Sequence, residues 1–306
     1  RDYLNRYAGQ CIGHNGINLI VKRLSNRIID EGYITTRVGI PEQDLSHGEF
    51  KLVLVPGVIR AIRIADPNQP GNWKTAFPVR PGDLLNLRDL EQGLEQMKRV
   101  PSQDVDINIV PGEAPGESDI VLTVKRSKPW KITASADDSG ATATGRLQGA
   151  VNFSYDNPLG LNDLFNIGIN NDIQGNGNQH GTRGDSLFYS IPWGYWTLAL
   201  SGSTSQFHQT IKGLNQNFIS SGDTTTVETK LSRVIHRDQT GKTSLQLRIA
   251  KRYSKNYIED VEIENQRRNT TAGEIGLIHR QYIGPAQIDL ILAHREGVSW
   301  FGGQED

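Results

Sequence analysis

Leu147-Gln148-Gly149-Ala150-Val151-Asn152-Phe153-Ser154-Tyr155-Asp156 is the stretch on which the fold turns. Its large apolar side chains fall on every second residue with polar ones between them, and it runs into Asn157-Pro158-Leu159-Gly160, a turn sequence. Successive side chains of a strand point to opposite faces, so a period of two predicts a strand with one apolar and one polar face. The pattern continues outward. Phe165, Ile167 and Ile169 alternate with Asn166, Gly168 and Asn170, and Leu245, Leu247 and Ile249 alternate with Gln246, Arg248 and Ala250. The connections carry a second regularity. Segments 158–160, 192–194, 238–242 and 283–285 read as short turns, whereas 175–185, 208–225 and 255–270 read as long polar loops. Short and long connections in alternation mark an antiparallel transmembrane β-barrel of the outer-membrane type, tight at one rim and extended at the other. A soluble sandwich or solenoid explains the strand period but not the alternation. Trp193, Tyr195, Trp196, Tyr253 and Trp300 fall near predicted strand ends, where an aromatic girdle places such residues; ordinary packing is the alternative.

The chain has 306 residues, room for two or three domains at about 100–200 residues each. Lys and Arg total 33 against 34 Asp and Glu, so net charge points to no nucleic-acid partner. No apolar run approaches the roughly 18 residues of a membrane-spanning helix. The chain starts at Arg1 without Met or a signal-like apolar region and stops at Gly302-Gly303-Gln304-Glu305-Asp306, so it is expected to be a piece of a longer protein.

Before Lys128 the period is helical. Ile17, Ile20, Val21, Leu24 and Ile28 recur at three and four residues, with Asn15 placed to cap and Gly32 to stop a helix. Strands are predicted at 33–38 and 50–55, the second running on past Gly57 to Ile64. A helix reads from Asn86 to Lys98, with Leu87, Leu90, Leu94 and Met97 on one face. Val105, Ile107 and Ile109 then form an alternating strand, 111–116 a turn, and Ile120, Leu122 and Val124 a further strand. Strand, helix, strand, strand makes a small α+β module with its helix packed on one sheet.

Specific runs are recognisable at this point. Gly32-Tyr33-Ile34-Thr35-Thr36-Arg37, Pro41-Glu42-Gln43-Asp44-Leu45-Ser46 and the stretch from Leu85-Asn86-Leu87-Arg88-Asp89-Leu90 to Met97, with Pro101-Ser102 after it, resemble the polypeptide-transport-associated domains of two-partner secretion transporters. The resemblance continues through Asp156-Asn157-Pro158-Leu159-Gly160, Pro192-Trp193-Gly194-Tyr195-Trp196, Leu231-Ser232-Arg233-Val234, His236-Arg237 and Trp300-Phe301-Gly302. It is nearest the branch that exports haemolysins and contact-dependent growth-inhibition toxins. It implies α+β periplasmic polypeptide-transport-associated domains followed by part of an antiparallel transmembrane β-barrel of about sixteen strands. On that reading residues 1–55 are the C-terminal part of the first such domain, 56–127 the second, and 128–306 the N-terminal half of the barrel.

The implied activity is capture of an unfolded exoprotein in the periplasm and its secretion through the pore. The implied partners are a large secreted exoprotein (toxin, haemolysin or adhesin) and outer-membrane lipid, with no nucleic acid and no cofactor. The strand carrying Val105, Ile107 and Ile109 is the candidate for binding an extended peptide at a sheet edge through main-chain hydrogen bonds; packing beneath the 86–98 helix is its alternative role. In the strand 243–253, Leu245, Leu247 and Ile249 are expected to face lipid and Gln246, Arg248 and Arg252 to line the pore. Cys11, the single thiol, is expected to pair with a cysteine upstream of Arg1 in an oxidising compartment, against the alternative of a buried free thiol. The family's inward-folded loop with its functional arginine has no matching position here.

Other motifs dissolve. Gly241-Lys242-Thr243 lacks the first glycine of a phosphate loop, His236 standing in its place, and reads as a tight turn. Gly175-Asn176-Gly177 fails dinucleotide spacing and reads as a surface loop. The 7 histidines show no metal-ligand spacing, and Asp137-Asp138 point to opposite faces of a strand end. No acid–base pair or nucleophile constellation supports an enzyme. Two rival readings remain: a barrel-assembly factor of similar architecture, and a soluble β-rich adhesive or carbohydrate-binding protein with the apolar strand faces buried in a core.

Overall fold

The computed structural model describes residues 2–44, 48–69, 71–174 and 179–304; Leu45-Ser46 of the resemblance and the Gly175-Asn176-Gly177 segment lie outside them. In chain order the elements are α1 (Asp2–Asn5), α2 (His14–Asp30), β1 (Arg37–Gly39), β2 (Val53–Val55), β3 (Val58–Ile64), α3 (Leu87–Lys98), β4 (Gln103–Pro111) and β5 (Glu117–Arg126). Then come β6 (Trp130–Asp137), β7 (Gln148–Asp156), β8 (Leu164–Asp172), β9 (His180–Trp193), β10 (Trp196–Lys212), β11 (Asn217–Arg237), β12 (Gly241–Ile258), β13 (Val261–Glu262), β14 (Arg268–Ile283) and β15 (Ala286–Gly297). Two compact units result, one of residues 1–65, 79–91 and 107–123, the other of 66–78, 92–106 and 124–306.

In the first unit the expected helix forms as α2, but its start lies two residues earlier, with Gly13 at the N-cap position and Asn15 inside the first turn. Gly32 ends it at φ +98, a conformation open to glycine without a Cβ penalty. The strand predicted over 33–38 shrinks to β1. Thr36 N–H turns back to the Tyr33 carbonyl, and the Thr36 hydroxyl accepts from Gly57 N–H, so residues 33–36 satisfy their backbone as a turn instead. The 50–64 strand breaks at Pro56-Gly57 into β2, antiparallel to β1, and β3, parallel to β5. Pro56 has no N–H to give to a ladder. Ile59, Leu85, Leu90, Ile120 and Leu122 are buried in this unit. The buried Asp119 on β5 accepts a two-pronged bond from Arg60 at 2.8 and 2.7 Å, which holds its carboxyl below the usual range. Cys11 is exposed, which corrects the buried-thiol alternative.

In the second unit β6 to β12, β14 and β15 pair with their chain neighbours in one antiparallel sheet, with β13 beside β12. The expected long loops are a correction. Residues 208–225 are mostly the ends of β10 and β11, joined at 213–216. Residues 180–185 belong to β9, and only 259–267 separates β12 from β14 around the short β13. These extensions hold Thr, Ser and Gln on both faces, so apolar periodicity ends before the ladder does. Tyr253 accordingly lies inside β12, and Trp300 falls in a 3-10 turn beyond β15, whereas Trp193 and Trp196 pair across the Gly194-Tyr195 turn. Gly241 to Thr243 open β12, and the tight turn is 238–240.

Candidate functional site

Register sorts the side chains of the large sheet onto two faces. On one, Trp130, Ile132 and Ala134 of β6 stand beside Tyr155, Phe153 and Val151 of β7, and these beside Phe165, Ile167 and Ile169 of β8. The same face continues through Tyr189 and Leu187, Leu198 and Leu200, Leu231, and then Leu247 between Leu231 and Ile275, to Leu277 beside Leu292. Ile132, Val151, Ile167, Leu187, Leu200, Leu247, Ile275 and Leu292 are all exposed. Such a continuous apolar surface is far more than scattered exposed residues.

The band also moves across the sheet. From Ile132 the pairing leads through Phe153, Ile167, Leu187, Gly202, Val227 and Lys251 to Thr271 on β14, yet the apolar centre at β15, Leu290, pairs with His279. From 271 to 279 is 8 residues, and from β6 to β15 there are 8 steps between neighbouring strands, so the band slips one residue per strand. With about 3.4 Å per residue and about 4.8 Å between strands, a level band requires strands tilted by about 35°. Strands of outer-membrane barrels tilt by roughly 35–45°.

The opposite face is polar. Gln246, Arg248 and Arg252 share it, as the strand period predicts. Lys230, Arg248, Glu274 and Arg295 stand in one row across β11, β12, β14 and β15. Arg248 bridges Glu228 and Glu274, so its charge is compensated. Gln246 lies one same-face position nearer the short turns, in a row with Ser232 and Thr197. Arg252 is exposed between Thr226 and Thr270.

The other predicted site is an edge. β4 ends the three-stranded sheet ordered β3-β5-β4. Val105 is 0% exposed, so its side chain serves packing, while Ile107 and Ile109 are half-buried and Asp104, Asp106 and Asn108 are exposed.

Sequence reasoning missed a polar seat at the short-turn end of the large sheet. Gln92 and Gln96 both donate to the Gly194 carbonyl at 3.1 Å, Gly194 N–H donates to the Thr75 carbonyl at 2.8 Å, and Gln96 also reaches Thr197 Oγ1. Glu95 pairs with Arg237 and Lys242. Burial works to raise the Glu95 carboxyl, but bonding and attraction from Lys242 and Arg237 outweigh it and hold it below its ordinary value. Asn162, wholly buried at φ +58, donates to the Asn72 carbonyl at 2.6 Å and to Thr75 Oγ1, and accepts from Gln103. Asp163 receives Leu159 N–H, Leu161 N–H and the Tyr189 hydroxyl. The signal was the i, i+4 glutamine pair on α3 and the Asn-rich 157–163 turn.

The chain as a whole is similar to known proteins. A family profile described as "Haemolysin secretion/activation protein ShlB/FhaC/HecB" matches residues 116–306; a "POTRA domain" profile matches 58–111, and "POTRA domain, ShlB-type" matches 1–57. "Outer membrane transporter CdiB-2" of Burkholderia pseudomallei is 53% identical over 305 residues, 100% of this chain and 52% of that protein. "Hemolysin transporter protein HpmB" of Proteus mirabilis is 33% identical, over 99% of this chain and 53% of its own length. The solved structure of CdiB from Escherichia coli superposes with a TM-score of 0.92 at 31% identity, covering 100% of this chain and 57% of that one. The chain thus spans about half the length of the curated relatives it matches.

Proposed function

Because the chain belongs to the haemolysin secretion/activation family ShlB/FhaC/HecB, we propose that the protein of which it is a part is an outer-membrane two-partner secretion transporter. Its cargo is a large exoprotein, unfolded in the periplasm and conducted through the barrel to the cell surface. The observation that carries this reading is the apolar band that slips one residue per strand, which a membrane lying level along it would match with strands tilted as in a membrane-crossing barrel, the charged row being on the other face. Gln246, Arg248 and Arg252 then line the pore. A charge-compensated wall suits a passage for polypeptide, since fixed charges already paired to one another do not hold every acidic or basic segment that passes.

In this reading residues 1–55 and 56–127 belong to two successive periplasmic domains and 128–306 to the barrel, with β6 and β15 paired to further strands. Open edges in hydrocarbon would otherwise leave backbone groups unbonded at several kcal/mol each. The β4 edge, through its main chain and the half-buried Ile107 and Ile109, is the proposed point of capture, with Val105 fixing the strand from beneath. The relatives are transporters, and this protein is proposed to act likewise, as a conduit and not a catalyst.

The test uses the full-length protein in membranes with Cys11 changed to Ser. Leu247→Cys is expected to react with a lipid-soluble maleimide and Arg248→Cys with a water-soluble one. The reverse pattern, or no lipid-phase labelling at 247, removes the transmembrane reading. Export is tested separately: without the transporter, the exoprotein is expected to stay in the cell, and unchanged release defeats the secretion reading.

A further inference from the structure

Arg233 stands on the apolar face of the large sheet. It follows Leu231 by two residues and pairs with Leu245, and the row through it reads Trp193, Trp196, Arg233, Leu245, Leu277. Charge on the lipid-facing side of a barrel wall is costly, so a cation there needs a partner. Other cations of this face have oxygen partners within the chain: Lys251 the Phe301 carbonyl, Lys255 the Glu262 carboxylate, Arg183 the Asp185 carboxylate. Arg233 is exposed, and among the described residues no oxygen bonds to it. Its guanidinium lies over the Trp196 ring instead, 5.0 Å from the centroid.

The wall has a step at this point. The β10–β11 ladder ends at Trp196↔Arg233, whereas β11 runs on to Arg237, so residues 234–237 have no strand partner on the β10 side. A β-bulge between Val234 and His236 sets His236 opposite Thr243, on the face of Leu245 and Arg233. The step holds a hollow of about 440 Å³, against the roughly 10–15 Å³ that one water needs. It is lined by Tyr195, Arg233, Val234, Ile235, His236 and Arg237. Arg237 is taken by Glu95 and His236 by Asp238, which leaves Arg233 as the cation of the hollow without a carboxylate.

We infer that Arg233, stacked on Trp196 at this step, binds the phosphate of an anionic glycerophospholipid of the periplasmic leaflet, whose acyl chains lie on the apolar face beside Leu198 and Leu231. The inference rests on the transmembrane reading above, in which the short turns face the periplasm. A long arginine stem stays among apolar side chains while its head sits at the rim, and a guanidinium grips phosphate with two parallel N–H bonds. Tryptophans at the membrane interface fix the level of the headgroup. A headgroup without an ammonium fits best, because the carboxylate at this end of β11, Asp238, already accepts from His236, Thr240 N–H and Gly241 N–H.

The test uses the full-length protein reconstituted in phosphatidylcholine vesicles that carry a trace of one photoreactive lipid, either phosphatidylglycerol or phosphatidylcholine with a diazirine in an acyl chain. Cross-links are mapped on residues 229–235 and, as a reference on the same apolar face, on 286–292. The phosphatidylglycerol-to-phosphatidylcholine yield ratio is expected to be about tenfold higher at 229–235 than at the reference, the equivalent of one hydrogen bond to a charged group, and to fall to the reference value in Arg233→Gln. Both ratios are internal to the protein that has assembled. The wild-type comparison needs no variant, so it stands even where Arg233→Gln fails to assemble. Equal ratios at the two segments in the wild type overturn the inference and leave the transmembrane reading standing, since they mean that Arg233 and Trp196 anchor any lipid alike. A preference that survives in Arg233→Gln also overturns it. Cross-links at neither segment from either lipid overturn both the lipid site and the transmembrane reading.

Discussion

The two ends of the large sheet are built on different principles. At the short-turn end three of the four connections are held by groups from elsewhere in the chain: Asn162 by Asn72, Thr75 and Gln103, Gly194 by Gln92, Gln96 and Thr75, Arg237 by Glu95. At the other end, β10 and β11 run on to the 213–216 turn mainly on ladder bonds, with Thr210 Oγ1 donating to the Gln179 carbonyl and Ile219 N–H to Glu259 Oε1, and Leu214 at the tip is fully exposed. A strand ladder satisfies its own backbone, so a hairpin needs no further support to extend into water. A turn whose position relative to other elements matters needs buried polar partners, and these specify geometry because each is costly to leave unmade. The difference teaches that the short-turn end is the reference frame of this unit and the other end is free to vary.

The largest effect is expected at Asn162. Asn162→Ala removes the bonds to Asn72 and Thr75, leaves Gln103 short of an acceptor and places alanine at φ +58, a sum of about 2–4 kcal/mol. Heat-modifiability of the full-length barrel in detergent is the readout, and a shift within error of the wild type would break the comparison at its strongest point.

Gly194 and Gly284 make an internal control, both opening two-residue turns at the same end with φ +56 and +57. Such turns take glycine first because its φ is positive. A Cβ on Gly194 would come 3.1 Å from Pro78 Cα, whereas one on Gly284 meets nothing within 4 Å. Gly284→Ala is expected to cost about 1 kcal/mol of backbone strain alone. Gly194→Ala should cost about 2–3 kcal/mol, because the turn must also shift away from its glutamines. Equal losses would mean that the seat around Gly194 contributes nothing.

Glu95 adds a smaller, pH-dependent contribution. Its folded carboxyl is held below the ordinary value, so its stabilisation is present above that ordinary value, about pH 4.3, and fades as pH falls through the depressed one. The side chain is half-exposed, so the pair is worth at most about 1 kcal/mol. Glu95→Gln is expected to melt slightly below wild type at pH 7 and to converge with it under acid conditions; a gap that persists in acid would assign the loss to packing.

The same contrast explains what the sequence reveals. The strands from 147 to 169 and 245 to 249 were legible because one face is apolar and the other polar, and α3 because Leu87, Leu90, Leu94 and Met97 keep its period. That Gln246, Arg248 and Arg252 share one face followed from parity alone. The extensions 208–225 and 180–185 were not legible, since a strand with polar residues on both faces has no hydrophobic period to read. Nor was the seat around Gly194, which joins residues about a hundred positions apart through hydrogen bonds that leave no periodic trace. Resemblance supplied the family.

The smallest effect is expected at the far end. Inserting a short Gly/Ser segment between Leu214 and Asn215 interrupts one turn bond, Gly213 N–H to the Gln216 carbonyl, and leaves the β10–β11 ladder from Lys212↔Asn217 inward intact. Loop closure grows only logarithmically with length, about 0.6 kcal/mol for each doubling, so a modest insertion should change barrel stability by less than about 1 kcal/mol. Assembly and export are then expected to match wild type, while a protease added outside cells cuts at the insertion, because exposed tips of this kind are preferred cleavage sites. Loss of assembly would show that the 213–216 turn is as constrained as the Gly194 turn, and the asymmetry between the two ends would fall with it.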